Sequence, residues 1–197
     1  PRQAGKSTLI WLTIEKRGES CLLLNCEEPS IREWLGSPAV FLADCQELAP
    51  GVPAMFFEEV QRLPEAGLFL KGLVDRRPGT RLYATGSSSF DLEARTRESL
   101  AGRAVRHLLL PLSLEEFAAT MQGPPRLAEQ ASDGQVRTCQ VLGGYPAVVL
   151  SAHPHRTLAE LVEAFVVRDA SDRFRIRHVA GFHKVIELAA SQIGNLV

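Results

Sequence analysis

At 197 residues the chain fits one domain, or one domain with a small second lobe, and is long enough to bury a core. Hydrophobic residues make up 45% and charged residues 23%, and the net charge of −1 lacks the basic excess expected of a nucleic-acid-binding domain. The four cysteines form no C-x-x-C pair and no zinc-like spacing, and no stretch has the length of a membrane span or the look of a signal peptide, so reduced thiols and a cytoplasmic location are expected.

The first residues, PRQAGKST, read as the end of the phosphate-binding pattern G-x-x-x-x-G-K-[ST], with Pro1, Arg2, Gln3 and Ala4 as its variable positions and the leading glycine lying before residue 1. In such a loop, backbone N–H groups curl round phosphates. Glycine supplies the positive φ and close approach that a Cβ hinders. Lysine reaches the β- and γ-phosphates, the Ser/Thr hydroxyl binds Mg2+, and the helix that follows turns its positive end to the same anion. Residues 7–17 fit that helix, with Leu9, Ile10, Leu12 and Ile14 on or near one face and Gly18 as a stop. A GKS opening an ordinary helix is the competing reading, and the residues downstream must decide.

Residues 21–25 (CLLLN) are a short apolar run of the kind a buried parallel strand shows, followed by a short helix over residues 27–35. Residues 54–57 (AMFF) form a second run ending at Glu58-Glu59. A helix over residues 64–76 opens on Pro64 and closes before Pro78-Gly79. Residues 81–85 (RLYAT) predict a third strand, broken by Gly86 and the serines after it, and residues 104–110 (AVRHLLL) a fourth. Strands alternating with helices predict a three-layer parallel α/β sheet, whose ligands bind at the carboxyl ends of its strands. The loop, Glu58-Glu59 and the turn at residues 85–89 would share that edge. Ser113 and Glu116 form a capping-box pattern for a helix through Met121. Residues 123–134 are the best linker, so the predicted organisation is an α/β domain over residues 1–122 and a helical lobe over residues 135–197, with helices near residues 135–142, 147–152, 158–168 and 182–193. The HPH at residues 153–155 reads as a surface turn and the basic cluster at residues 168–178 as a solvated face or an interdomain contact.

A nucleotide hydrolase of this type needs a carboxylate at a strand end to hold Mg2+ and often a second to orient water, and MFFEE supplies both in order. With PRQAGKSTL, FFEEVQRLPE, LKGLVDRRPGTRLYATGSSS, ESLAGR, LPLSLEEF and GGYP in sequence, the chain resembles the prokaryotic AAA-type ATP-binding proteins whose P-loop ATPase domain precedes a C-terminal domain of unknown function. The resemblance implies ATP and Mg2+ as cofactors. It also implies that residue 1 is a truncation point, with a first strand cut away that would sit between those ending at Glu58 and Thr85, and that winged-helix-like and nuclease-like regions follow.

By the same resemblance, Gln3, Ala4, Gly5, Lys6, Ser7 and Thr8 bind the nucleotide, Ser7 and Glu58 serve the metal, and Glu59 polarises water. Ser87, with Thr85 beside it, stands where a γ-phosphate sensor belongs, against a helix cap or turn as the plain alternative. Arg103 resembles an arginine finger, against an ordinary surface arginine, and Pro146 in GGYP an adenine-side element, against a helix-entry turn. The family usually carries Asp-Glu where this chain has Glu58-Glu59, which leaves binding expected and hydrolysis in question. Two functions follow: an ATPase driving movement between the lobes, and a slow or non-hydrolysing nucleotide switch for an attached effector. The expected partners are ATP or ADP and a homo-oligomer; DNA would be contacted through the absent C-terminal regions only, and no membrane is expected.

Overall fold

The computed structural model describes residues 3–76, 79–86, 100–120, 133–165 and 178–193. The chain divides into two compact units, Pro1–Leu110 and Pro111–Val197.

In the first unit, α1 (Lys6–Arg17) ends where Gly18 takes a left-handed conformation, φ 63°, and donates its N–H to the Glu15 carbonyl. Lys16 and Arg17 in the last turn suit the negative end of the helix dipole. Three residues later β1 (Cys21–Asn25) begins, followed by α2 (Pro29–Trp34), α3 (Pro38–Leu48), β2 (Ala54–Glu58), a 3₁₀ turn (Val60–Arg62), α4 (Ala66–Arg76) and β3 (Arg81–Ala84). The strands form a parallel sheet in the order β1-β2-β3, with Cys21 opposite Ala54 and Ala54 opposite Arg81.

The unbroken apolar run of β2 suits the centre of this sheet, where both faces are covered. Met55 and Phe57 face a core with Leu24, Phe41, Cys45, Phe69 and Leu73 from β1, α3 and α4. Phe41 lies 6.2 Å from Phe57 and 5.9 Å from Phe69 between ring centroids, an edge-directed aromatic cluster. Phe56 points the other way and meets Trp11 of α1 edge-on at 5.9 Å. Helices therefore cover both faces.

Two expectations need correction. No strand lies between those ending at Glu58 and Thr85, because β2 pairs directly with β3 from Ala54–Arg81 to Phe57–Ala84. Residues 104–110 form no strand among the described residues and are largely exposed, Val105 at 83% and Leu108 at 72%. Apolar, β-branched composition favours a strand only where a neighbour takes up the backbone hydrogen bonds, and this segment pairs with none of β1, β2 or β3. One helix, α3, is additional to the sequence reading; Ser37 at its N-cap position and Pro38 at its first turn were the signals.

In the second unit, α5 (Leu114–Thr120) opens on a realised capping box: Glu116 N–H donates to Ser113 Oγ at 3.2 Å and Ser113 N–H to Glu116 Oε2 at 2.8 Å. The helices α6 (Asp133–Leu142), α7 (Pro146–Val149), α8 (Pro154–Ala164) and α9 (Val179–Ser191) follow. Of the expected linker, residues 123–132 lie outside the described residues, while Asp133 and Gly134 already belong to α6. All but His178 of the basic cluster also lies outside them.

Candidate functional site

The connection from α1 to β1 fixes the direction of the helix. With only residues 18–20 between them, the C-terminal end of α1 must lie at the edge where β1 begins. Twelve helical residues rise about 18 Å and five strand residues span about 16 Å, so α1 returns to the opposite edge, where the parallel strands end. The Trp11–Phe56 contact agrees: Lys6 lies about 7.5 Å along the helix from Trp11, and Glu58 about 6.6 Å along β2 from Phe56. Gly5, Lys6 and Ser7 thus share an edge with Glu58, Glu59 and Thr85.

The loop entering α1 carries the backbone such a site needs. Gly5, at the N-cap, has φ 84° and ψ 19°, and Gln3 has φ 56°. Glycine adopts that region at no steric cost. No side chain caps the helix and no acidic residue occupies its first turn, yet the helix begins with Lys6. A cation at this end opposes the helix dipole, and the first-turn N–H groups have no intrahelical acceptors. An anion of several charges answers both, so the residues present fit a polyphosphate. Ala4 is buried, and Gln3 and Thr8 are exposed.

At the end of β2 the chain is stitched to both neighbours. Cys26 N–H donates to the Glu58 carbonyl at 3.0 Å, Thr85 N–H to the Phe57 carbonyl at 2.9 Å, and Val60 N–H to the Thr85 carbonyl at 2.9 Å. Between these ties Glu59 is held at φ 49°, a left-handed conformation uncommon for a residue with a Cβ. The Glu58 and Glu59 side chains are half-buried. Gln61 Nε2 donates to Glu59 Oε2. Thr85 is 6% exposed, and its Oγ1, like Gln61 Oε1, is buried without a protein partner. Burial pushes the Cys26 thiol up to about 11; the Arg32 guanidinium opposes this, and the Glu59 and Glu58 charges add to it. The thiol beside the carboxylate pair is therefore protonated at neutral pH and no nucleophile.

Other expected residues fall elsewhere. Ser87 lies outside the described residues. Arg103 donates from Nε to Asp75 Oδ1 in the last turn of α4 at 2.9 Å, within the same unit. In the second unit three residues of GGYP have local tasks. Gly143 takes φ 70° and donates to the Cys139 carbonyl, Gly144 lies against the backbone of Leu112, and Pro146 starts α7. Gln61 and Asp75 lie within the FFEEVQRLPE and LKGLVDRRPGTRLYATGSSS segments, where no spacing gives either a role of its own, and both emerge only from their partners. No cluster of His, Cys, Asp and Glu suited to a metal occurs among the described residues, and no helix among them is long and apolar enough to cross a membrane.

A lysine-led helix entered through a left-handed glycine, at the carboxyl edge of a parallel sheet and beside a carboxylate pair, defines a nucleotide-binding domain of the phosphate-loop class. Residues 1–118 match the family model described as AAA domain, and the chain belongs to that family. An uncharacterized protein of Haemophilus influenzae is 25% identical over 209 residues, which cover 100% of this chain and 51% of that protein. The chain thus spans about half the length of the curated relative it matches. No solved structure matches it. Membership in the AAA family implies nucleotide binding.

Proposed function

We propose that the chain binds ATP with Mg2+ and hydrolyses it, and that the nucleotide state is coupled to movement of the helical second unit. The observation that carries this reading is the meeting of lysine-led α1 with Glu58 and Glu59 at one sheet edge in a chain of the AAA family. In this reading the fold is the three-layer P-loop fold. Bound Mg2+ would offset phosphate charge in the transition state.

The protein's own groups divide the remaining work. Lys6 and the amides of the loop take the phosphates, with Gln3, Ala4, Gly5 and Thr8 shaping the cradle. The Ser7 hydroxyl and Glu58 hold the metal side. Glu59 accepts an O–H of the water and so aims its lone pair. Thr85 is the better supported of the two sensor positions, since its buried hydroxyl has no protein acceptor; Ser87 keeps the role that the family resemblance implies. Arg103 acts as an arginine finger toward a neighbouring copy, and Pro146 lies on the adenine side.

The test is an equilibrium titration with ATP. Lys6→Ala should weaken binding about 100-fold or more, since it removes the cation at the start of α1 and leaves a desolvated phosphate charge unpaired. Undiminished affinity would overturn the assignment. A second reading, a switch that hydrolyses slowly, is favoured by one observation: Arg103 is already held by Asp75 of its own unit. Steady-state turnover far below one per minute at saturating ATP, with binding intact, would select it.

A further inference from the structure

Resting on the reading of Glu59 as the water-orienting carboxylate, we propose that Gln61 is the positioning residue for that carboxylate. Its side-chain amide holds one oxygen of Glu59 and leaves the other to engage water, so that hydrolysis depends on Gln61 while nucleotide binding does not.

The backbone around the pair is fixed from several sides. Val60 is bonded to Thr85 on β3's exit, Arg62 N–H donates to the Glu59 carbonyl at 2.9 Å, and Leu63 N–H to the Val60 carbonyl at 3.0 Å. Gln61 therefore sits in a closed 3₁₀ turn whose start is Glu59 itself. A carboxylate only accepts hydrogen bonds, so the Gln61 amide must present Nε2 to Glu59 Oε2. That choice forces Gln61 Oε1 into a buried place without a protein partner. An unsatisfied buried acceptor is costly. The fold keeps it because turning the amide over would set two acceptors against each other at Glu59.

Glu59 is a long side chain on a left-handed backbone, and without a donor at Oε2 its carboxylate would sample several rotamers. Orientation of a water by such a group is lost in proportion. Thr85 Oγ1, also buried without a protein partner, belongs to the residue whose carbonyl holds Val60. Of the four buried side-chain atoms without a protein partner among the described residues, Gln61 Oε1 and Thr85 Oγ1 belong to the turn that carries Glu59 and to the residue that ties it; the others are Glu19 Oε2 and Tyr83 Oη.

The experiment compares unaltered protein, Gln61→Leu, Glu59→Gln and the double variant, by ATP affinity at equilibrium and by single-turnover hydrolysis. Gln61→Leu should keep its Kd within about threefold and slow hydrolysis about 10- to 100-fold, the range of one charge-assisted hydrogen bond. The double variant should be no slower than Glu59→Gln alone, because Gln61 acts through Glu59. Gln61→Glu keeps the volume and sets a second carboxylate against the first; it should be slow as well, and serves if the leucine variant does not fold. Normal hydrolysis in both Gln61 variants, with Glu59→Gln slow, overturns the proposal alone. Additive losses in the double variant overturn it too. Normal hydrolysis in Glu59→Gln, or none in the unaltered protein, overturns the underlying reading and the proposal with it.

Discussion

Arg103 donates from Nε to Asp75 Oδ1 across 2.9 Å, joining the segment after residue 100 to the last turn of α4. Both side chains are about two-fifths exposed, at 39% and 42%. An ion pair so open to solvent contributes about 1 kcal/mol or less to stability. Its consequence is instead that the guanidinium is engaged within its own subunit. If Arg103 acts on a neighbouring copy, Asp75 competes for it. Asp75→Asn should shift the melting temperature by no more than about 3 °C and raise turnover of the assembled protein. Unchanged turnover would remove Asp75 from any account of regulation. The finger itself is tested by mixing: Arg103→Ala and Lys6→Ala proteins, each inactive alone, should partly restore turnover together, because one mixed interface unites an intact loop with an intact arginine. No recovery in demonstrated mixed assemblies would leave Arg103 as a residue tied to Asp75 for structure.

The carboxylate pair offers two separable substitutions. Glu59→Gln keeps shape and removes the charge that orients water, so binding should persist while turnover falls about 100-fold or more. Glu58→Asp shortens the metal-side group by one CH2 and gives the arrangement usual in the family. Since the phosphates are held mainly by the loop, turnover should change more than affinity. Paired Kd and single-turnover measurements decide; an unaltered rate means that the longer carboxylate is neutral, and the slow-switch reading then rests on Arg103 alone.

Gly144 is a position where the second unit tolerates no Cβ. The added atom would stand 2.3 Å from the Leu112 carbonyl oxygen, and the same pair is bonded in the other sense, Leu112 N–H to the Gly144 carbonyl at 2.7 Å. Backbone on both sides leaves little to yield. Gly144→Ala should destabilise the second unit by about 2 kcal/mol or more, read by chemical denaturation. A loss below about 0.5 kcal/mol would show that the chain there can shift apart.

The strand ending at Glu58 was legible because a parallel strand buried on both faces is written as a continuous apolar run, whereas those ending at Asn25 and Ala84 are only partly buried and were legible from their short apolar stretches between turn residues. The loop and carboxylates were legible because their chemistry needs particular residue types at particular spacings. Residues 104–110 misled for the converse reason: AVRHLLL has strand composition, yet pairing is a property of neighbours and not of the segment. The same limit applies to the position expected for a first strand, since β2 and β3 differ in no sequence feature that says whether they touch. Gln61 and Asp75 show a third limit. A polar residue is informative only once its partner is known, and the partners Glu59 and Arg103 are set by a left-handed turn and by a return of the chain over 28 residues.

Cys26 gives the candidate site a pH signature that does not depend on nucleotide. Its thiol is fully buried between the strand ends, and its pKa in the folded protein is raised from 9.0 to about 11, through burial first. Arg32 lowers it, while Glu59 and Glu58 add to the rise. The neutral thiol is the form the folded state prefers, so between these values the folded protein binds a proton that the unfolded chain has released. The contribution to stability is therefore complete below about pH 9 and declines as the pH rises toward 11, by on the order of 2 kcal/mol in all. Lysines and tyrosines titrate in the same window, so the informative quantity is a difference. Urea unfolding at pH 8 and pH 10.5 should show a larger loss in the unaltered protein than in Cys26→Ala, whose own cost of a small cavity is the same at both pH values. Equal losses would mean that the thiolate is accommodated in the fold, and that the Glu58 and Glu59 carboxylates stand farther from Cys26, or are better screened, than the packing of the strand ends implies.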